Sequence, residues 1–192
     1  MEKAPKFKLT ESAKRGQYLV FADISEQTGA SWDISLAVWE PQGYRTESAA
    51  KSFNYDRNDV VDVLDIPHSD ISKGTATINF EPNPIRPGLR YGRFNEIIHE
   101  QVWREEVGKL ANHKFMEVAT YIEPVNGQYY AKVYDKCSVL PTDKGGDGGG
   151  NLGMSYEAAF AGKSIFGTVN KGLPDIDVEL LPTHVVFTPE AA

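Results

Sequence analysis

"FMEVATYIEPVNGQYYAKVYDKCSVL", residues 115–140, is the stretch that decides the fold class. Its first nine residues alternate strictly between two faces, which is the pattern of a β-strand. Asn126-Gly127 is the dipeptide best suited to a type I′ hairpin turn, and residues 128–140 follow as the return strand. The stretch therefore predicts an antiparallel β-hairpin.

Further strand patterns lie on both sides of this hairpin. In residues 32–40 the alternation is clean, and it places Trp32, Ile34, Leu36 and Val38 on one face. Three prolines within residues 81–88 predict a rigid break in the chain. The remaining predicted strands cover residues 17–23, 75–80, 154–160, 163–169 and 183–187.

One segment, residues 90–110, has helical spacing, with an apolar stripe of Phe94, Ile97, Ile98 and Val102. About eight strands with one helix predict a mainly β fold, an antiparallel β-sandwich or barrel with a flanking α-helix. We expect a single domain over residues 1–192, with polar arms at about 1–13 and 171–192.

Composition narrows the classes of function. Apolar residues make up 41% of the chain and charged residues 24%, as in ordinary soluble domains. The net charge of −7 disfavours tight binding to nucleic-acid phosphates. Cys137 is the only cysteine, which excludes an intrachain disulfide and a cysteine-based zinc site. The sequence has no apolar run of membrane-spanning length and no apolar core typical of a signal peptide.

The glycine-rich segment near residue 147 resembles a phosphate loop only at its far end, Gly162-Lys163-Ser164. Glu157 stands where the first glycine of a P-loop is required, and its carboxylate would repel phosphate. Asp143 and Asp147 are too few for a calcium loop. We therefore expect an adaptable connection between strands, formed by Gly145, Gly146, Asp147, Gly148, Gly149 and Gly150.

Residues 42–73 show little periodicity and predict a long loop, which in a compact domain is usually functional. Tyr44, Phe53 and Tyr55 are aromatic residues in this loop without a place in any periodic pattern. They are expected to fold back on the domain or to dock on a partner.

No catalytic constellation is visible. His68, His99, His113 and His184 are scattered, and none has a second ligand at metal-binding spacing. Cys137 has no nucleophile context and is expected to be a small buried residue. The sequence therefore predicts no enzyme, no catalytic residue, no metal and no cofactor.

In the order of these features, the chain resembles the major tail tube proteins of long-tailed phages with non-contractile tails. The resemblance covers roughly residues 14–170 and rests on layout more than on single motifs. It is carried by the strand-turn opening "KRGQYLVFADISEQTGAS", the long loop "GYRTESAAKSFNYDRNDVVDVLDI", the flanking helix "RFNEIIHEQVWREE", the hairpin at 115–140 and the closing "GGDGGGNLGMSYEAAFAGKSIFGTV".

The resemblance implies a structural protein of the virion that assembles in the host cytoplasm. Six copies would join their sheets into a ring, rings would stack into a tube, and DNA would pass through the lumen without specific binding. Other tail proteins would bind the ends of the tube, with no membrane involved. The long loop would reach the neighbouring ring through an assembly loop of Tyr44, Phe53, Tyr55, Asp56 and Arg57.

Three other classes stay open, and one of them is an enzyme whose site matches no recognised motif. Tubes of contractile tails and of injection systems share this fold and are the nearest alternative. A β-sandwich that binds a sugar through Trp32, Trp39 or Trp103 is another, although tryptophans at such positions more often belong to a core.

Overall fold

The structure is a computed structural model that describes residues 18–27, 31–42, 49–61, 67–85, 91–124, 126–146, 152–170 and 185–190. Within these residues the chain forms ten strands, two α-helices and one 3-10 turn. In chain order they are β1 (Tyr18–Asp23), the 3-10 turn (Ile34–Leu36), β2 (Trp39–Pro41), β3 (Ala49–Ser52), β4 (Tyr55–Val61), β5 (Pro67–Lys73), β6 (Ala76–Pro84), α1 (Arg93–Trp103), α2 (Val107–Leu110), β7 (His113–Ala119), β8 (Gln128–Gly145), β9 (Gly153–Asn170) and β10 (Phe187–Pro189).

Most strands belong to one antiparallel sheet with the order β2-β1-β7-β8-β9-β6-β3, and β10 pairs with the free side of β9. Strands β4 and β5 form a separate two-stranded sheet. The prediction of a mainly β, antiparallel fold with one main helix beside it is confirmed. The architecture is one large sheet with a small hairpin added.

The large sheet coils around its main core. Lys51 on the edge strand β3 reaches Glu117 on β7, which lies four strands away in the sheet order. Phe94 and Ile98 of α1 complete this core, where Phe94 packs edge-on against Phe115 at a centroid distance of 5.4 Å. The opposite face of the sheet carries a second core around Phe21, Trp39, Met116, Val118, Val133 and Val169.

Helix α1 is tied to the sheet at its first turn. Gly92 precedes the helix and offers no side chain to cap it. The buried carboxylate of Glu40 on β2 accepts hydrogen bonds from the backbone N–H of Arg93 (3.0 Å) and of Phe94 (2.8 Å). A side chain distant in sequence thus satisfies the amides that a local cap usually satisfies.

The predicted strand at 32–40 is wrong over most of its length. The Asp33 carboxylate accepts hydrogen bonds from the backbone N–H and the hydroxyl of Ser35, at 2.9 and 2.7 Å. This local bonding favours the 3-10 turn, so only Trp39 to Pro41 join the sheet. The alternation of Trp32, Ile34, Leu36 and Val38 therefore does not describe one strand face.

The predicted helix at 90–110 is divided in two. Helix α1 ends at Trp103, and Glu105 adopts a left-handed φ of 57° before α2 begins at Val107. The apolar stripe itself is confirmed: Phe94, Ile97 and Ile98 are buried, and Val102 packs against the main core.

The predicted strands at 154–160 and 163–169 are one continuous strand, β9. Gly162 allows this continuity because its φ of 77° forms a bulge where a Cβ would lie 2.6 Å from the Asp135 carboxylate. The Asp135 carboxylate also accepts a hydrogen bond from the backbone N–H of Lys163 at 2.9 Å. The Gly-Lys-Ser residues therefore lie within a sheet.

The predicted break at 81–88 is wrong for its first half, because β6 continues to Pro84 after a register shift between Phe80 and Asn83. Strand β3 pairs with β6 only up to Phe80. Within the described residues, the prolines beyond Phe80 have no partner strand on the side of β3, and such an edge position tolerates proline. Of the C-terminal strand predicted at 183–187, only Phe187 lies in a strand, β10, while Val185 and Val186 precede it and residues 183–184 lie outside the described residues.

The central hairpin at 115–140 is confirmed as β7 paired with β8, although β7 already ends at Ala119 and β8 continues to Gly145. Asn126 and Gly127 have the positive φ values, 51° and 76°, that a type I′ turn requires. Ala119 pairs with Tyr130, so the connection is longer than a two-residue turn.

Ile98→Ala tests the attachment of the helix. Ile98 is fully buried, so its truncation is expected to lower the free energy of unfolding by roughly 2–5 kcal/mol in a urea titration. Val107→Ala removes an exposed apolar side chain from the neighbouring helix and should change stability by about 0.5 kcal/mol at most. Equal effects of the two substitutions would contradict the observed packing.

Candidate assembly surfaces

The predicted long loop is largely a hairpin. Residues 49–52 form β3, and β4 and β5 then pair from Tyr55↔Lys73 to Val61↔Pro67. Of the predicted assembly residues, Phe53, Tyr55, Asp56 and Arg57 lie at the base of this hairpin, and Tyr44 lies outside the described residues. The expectation of a loop without regular structure is therefore wrong for residues 49–61 and 67–73.

One face of the hairpin carries exposed apolar side chains between charged ones, because Arg57, Asp59 and Lys73 share the alternation of Tyr55. Tyr55 and Val61 point to the same side of β4, and Ile71 joins them because it pairs with Arg57 in the same alternation. Their exposed fractions are 57%, 62% and 72%. The opposite face is polar and carries Asp56, Asn58, Asp70 and Ser72.

Contacts within the hairpin fix its shape. The Arg57 guanidinium donates to the Asp59 carboxylate (2.8 Å) and to the Ser69 hydroxyl (3.0 Å), which joins the two strands. Bonds from Ser69 and Arg57 lower the pKa of Asp59, so this carboxylate stays ionised. Phe53 stacks on Tyr55 with ring centroids 6.1 Å apart, and the two aromatic residues singled out in the sequence thus contact each other at the hairpin base.

The neck of the hairpin is closely packed. The Asn54 side-chain amide donates to the carbonyl of Thr75 at 2.8 Å. A Cβ on Gly74 would lie 1.8 Å from the carbonyl oxygen of Asn54, so no larger residue fits there without a backbone shift. The hairpin therefore leaves the sheet at a defined position.

A buried polar cluster anchors the strand that leads into the hairpin. The Glu117 carboxylate accepts hydrogen bonds from the Tyr18 hydroxyl, from the Lys51 ammonium and, at 2.9 Å, from the Tyr134 hydroxyl. The side chains of Lys51 and Glu117 are each only 11% exposed. Burial, together with the Glu117 charge, raises the pKa of Tyr18 and of Tyr134, so both hydroxyls keep the proton that they donate.

The glycine connection is shorter than predicted. Gly145 belongs to β8 and pairs with Gly153, and Asp143 pairs with Ser155. Gly146 is the last described residue before the gap, and residues 147–150 lie outside the described part of the chain. Lys144, next to this connection, lies 3.0 Å from the His99 ring nitrogen and 5.5 Å from the centre of the Trp103 ring.

The hairpin and the glycine connection lie at opposite ends of β6. The residue that follows the hairpin neck, Ala76, pairs with Phe160, whereas the glycine connection joins the pair Gly145↔Gly153. Phe160 lies seven positions after Gly153 in β9, a distance of about 23 Å along a strand. Strand β9 continues beyond Phe160 to Asn170, so the hairpin leaves the sheet opposite the middle of this strand.

A polar cleft of about 680 Å³ lies between α1, α2 and the strands β1 and β7. Trp32 lines it and donates its indole N–H to the Asp23 carboxylate at 2.7 Å. At its base the His113 ring nitrogen lies 2.8 Å from the side-chain oxygen of the buried Gln101. Burial, with a contribution from the charge of Lys114, lowers the pKa of His113 to about 4, so the ring is neutral at pH 7.

Of the tryptophans considered for sugar binding, Trp32 and Trp39 contact each other edge-on with ring centroids 6.3 Å apart, but they form no open aromatic surface together with Trp103. Trp39 is buried in the second core, Trp32 lines the cleft, and Trp103 is exposed at the end of α1. Cys137 is fully buried, as predicted, and burial raises the pKa of its thiol.

Among the described residues no group of three or more His, Cys, Asp or Glu side chains is placed to hold a metal ion. In the same part of the chain, none of the helices has the length and apolar character needed to cross a bilayer.

Lys51, Glu117, Val61 and Ile71 were missed by the sequence reasoning. The pairing of Lys51 with Glu117 spans 66 residues and leaves no local signal. Ile71 and Val61 do alternate with polar residues, but the alternation is too short and too polar to stand out.

Comparison with known proteins identifies no family for this chain. No family model matches the chain, and no curated protein matches it. One solved structure, the cryo-EM structure of an extracellular contractile injection system, the PVC sheath-tube complex in its extended state, contains a similar chain. The similarity covers 81% of this chain and 91% of that chain, with 8% identity and a TM-score of 0.44. A likeness this low carries no functional argument.

The pair of Lys51 and Glu117 can be tested by a double-mutant cycle. Lys51→Met leaves a buried carboxylate without its countercharge and is expected to cost roughly 3–5 kcal/mol of unfolding free energy. Adding Glu117→Gln removes that uncompensated charge and should restore part of the loss. The exposed pair Arg57–Asp59 serves as control, with an expected coupling of about 0–1 kcal/mol. Additive effects at Lys51 and Glu117 would show that the two side chains do not interact.

His113 predicts a pH dependence of stability. Its folded-state pKa of about 4 lies below the ordinary value of 6.5, so the unfolded chain binds the proton first as pH falls. The stabilisation that the neutral His113 ring contributes to the folded state is complete above pH 6.5. It decreases by roughly 3 kcal/mol as the pH falls toward 4. His113→Gln should flatten the curve of unfolding free energy against pH in this window. Parallel curves for both proteins would contradict a buried neutral imidazole.

Proposed function

We propose that this chain is a structural subunit that assembles with copies of itself into a tube. The β4–β5 hairpin is the observation that carries the proposal. A two-stranded hairpin is at best marginally stable in water, and this one exposes Tyr55, Val61 and Ile71 on a single face. Exposed apolar side chains grouped on one face in this way mark a candidate contact surface.

The edges of the large sheet support the same proposal. Among the described strands, β2 and β3 each have a neighbour on one side only, so their outer backbone groups are open to pairing with another strand. Joining the edges of identical subunits into a closed ring would satisfy these groups and remove the risk of uncontrolled association.

The particular tube that we propose is the tail tube of a long-tailed phage with a non-contractile tail, built from stacked hexameric rings. The net charge of −7 per copy suits a conduit for DNA, because a wall of like charge does not retain the passing polymer. Other tail proteins would bind the two ends of the tube. The proposed site of action is the virion, and the proposal includes no catalytic activity and no cofactor.

Electron microscopy of the purified protein tests the proposal. Rings or tubes with six-fold symmetry are expected at high protein concentration. A protein that stays monomeric at every concentration would exclude self-assembly. Tubes that form only together with a second, sheath-like protein would favour a contractile system.

Ile71→Lys tests the hairpin face. Placing a charge on this face is expected to abolish tubes in micrographs and in sedimentation, because the charge would have to be buried in the contact. Since Ile71 is exposed, the melting temperature of the subunit should stay within a few degrees of the wild-type value. Ser72→Lys adds the same charge to the opposite face and is the matched control. Normal tube length with Ile71→Lys would exclude this face from assembly.

A further inference from the structure

Lys51 and Glu117 bring an amine and a carboxyl group into contact inside the large sheet. The Lys51 ammonium donates to Oε1 of Glu117, and both side chains are only 11% exposed. Because Oε1 is bonded to the carboxyl carbon, the same contact places the Lys51 nitrogen next to an electrophilic carbon. The two groups that form an amide bond are therefore already in place.

Aromatic rings enclose the amine. The ring centres of Phe53, Tyr134 and Phe160 lie 5.2, 5.5 and 5.4 Å from the Lys51 nitrogen. Such ring faces attract the ammonium and hold it in position. The backbones of Lys51 and Glu117 are held by the pairing of β3 and β7 within the sheet. The pair is thus preorganised, and well-oriented partners of this kind reach effective concentrations of about 10⁵–10⁸ M.

Each oxygen of the Glu117 carboxylate has a phenol donor. The Tyr18 hydroxyl donates to Oε1, and the Tyr134 hydroxyl donates to Oε2 at 2.9 Å. Burial, together with the Glu117 charge, raises the pKa of both hydroxyls, so they remain protonated donors. A donor aimed at a carboxyl oxygen stabilises the negative charge that develops there when a nucleophile adds to the carbon. The ion pair does not require the donor on Oε2, whereas addition to the carbon benefits from it.

We propose that Lys51 and Glu117 condense to an amide bond that joins β3 to β7 covalently. One proton of the ammonium first passes to Oε1 along the hydrogen bond between the two groups. The lone pair of the neutral amine then forms a bond to the carboxyl carbon, while Tyr134 stabilises the charge on Oε2. The bond from this carbon to Oε1 breaks, and Oε1 leaves as water with a second proton from the nitrogen. One ammonium and one carboxylate thus give one amide and one water, without any further reactant.

Burial favours this product. A buried ion pair loses the hydration of both charges, and the attraction between the charges often fails to offset that loss. Condensation removes both charges and releases a water molecule to the solvent. The Tyr134 hydroxyl can still donate to the oxygen that remains in the amide, so the product keeps a hydrogen bond of the ion pair.

The bond does not depend on self-assembly, because all of its groups belong to one chain. It would close a covalent loop between Lys51 and Glu117 and would fix the edge strand β3 just before the β4–β5 hairpin. Failure of the tube proposal would leave this inference standing, and absence of the bond would leave the tube proposal standing.

Mass spectrometry of the full chain after denaturation tests the bond. Protein kept folded at neutral pH for several days is expected to have a mass lower by one water than its sequence requires. Proteolysis should then release a branched peptide in which Lys51 is joined to Glu117. A wild-type mass equal to that of the sequence would show that the pair is only ionic, and this result would overturn the proposal.

Two variants show whether the loss occurs at this pair. Lys51→Arg keeps the positive charge but lacks the primary amine, so it should retain the full mass. Glu117→Gln offers the amine a carboxamide, so this variant should lose ammonia in place of water. Loss of water from either variant would place the dehydration elsewhere in the chain and overturn the bond.

Tyr134→Phe tests the donor on Oε2. The intact mass is followed at successive times after a pulse of cell-free synthesis of the full chain. Removal of this hydroxyl is expected to slow the loss of water by roughly 100-fold, as for removal of an oxyanion donor. Tyr129→Phe removes a hydroxyl on the side of the second core and should leave the rate unchanged. Equal rates for the wild type and Tyr134→Phe would exclude Tyr134 from the reaction.

Discussion

The carboxylate of Glu117 is the constraint on which the rest of the structure depends. It lies inside the coiled sheet and is bonded by Tyr18 at the start of β1, by Lys51 on the edge strand β3 and by Tyr134 on β8. A buried charge is costly unless it is paired and hydrogen-bonded, and these donors meet that condition. The pair with Lys51 fixes how far the sheet coils, because it holds β3 across the core from β7.

This cluster also connects the core to the surfaces proposed for assembly. Lys51 is two residues from Phe53, so the ion pair holds the strand from which the hairpin leaves. Tyr18 is the first residue of β1. One carboxylate therefore holds two strands, β1 and β3, that are far apart in sequence. The cleft beside α1 and its neutral His113 belong to a different region, where burial of the imidazole serves stability.

Local patterns in the sequence predicted the parts of the fold that local physics determines. The stripe of Phe94, Ile97 and Ile98 and the alternation around Met116 identified the helix and the central hairpin, because each pattern reflects burial of one face. The sequence patterns failed where a residue that is distant in the sequence determines the local structure. Glu40 caps a helix that begins 53 residues later, and Gly162 carries β9 through a bulge that looked like a turn.

The candidate assembly surface on the hairpin could be predicted only in part, because local sequence patterns do not show which distant strands pair. Phe53 and Tyr55 stood out as aromatic residues without a periodic place, and they are indeed exposed and stacked on each other. The sequence did not reveal β4 and β5 as strands, because these strands do not bury one face in a core. The face opposite Tyr55 carries Asp56, Asn58 and Asp70. No sequence pattern could show that the hairpin leaves the sheet opposite the middle of β9, since that follows from the pairing of Ala76 with Phe160.

The pairing of β8 with β9 has a mechanical consequence. Each strand has 18 residues, and the ladder between them extends from Gln128↔Asn170 to Gly145↔Gly153. A pull along the strand axis loads many of these hydrogen bonds in shear at the same time, so they must yield together and not one after another. The subunit is therefore stiffest along these two strands, and tension along them on a chain of such subunits would separate the contacts between copies before it unravels the sheet.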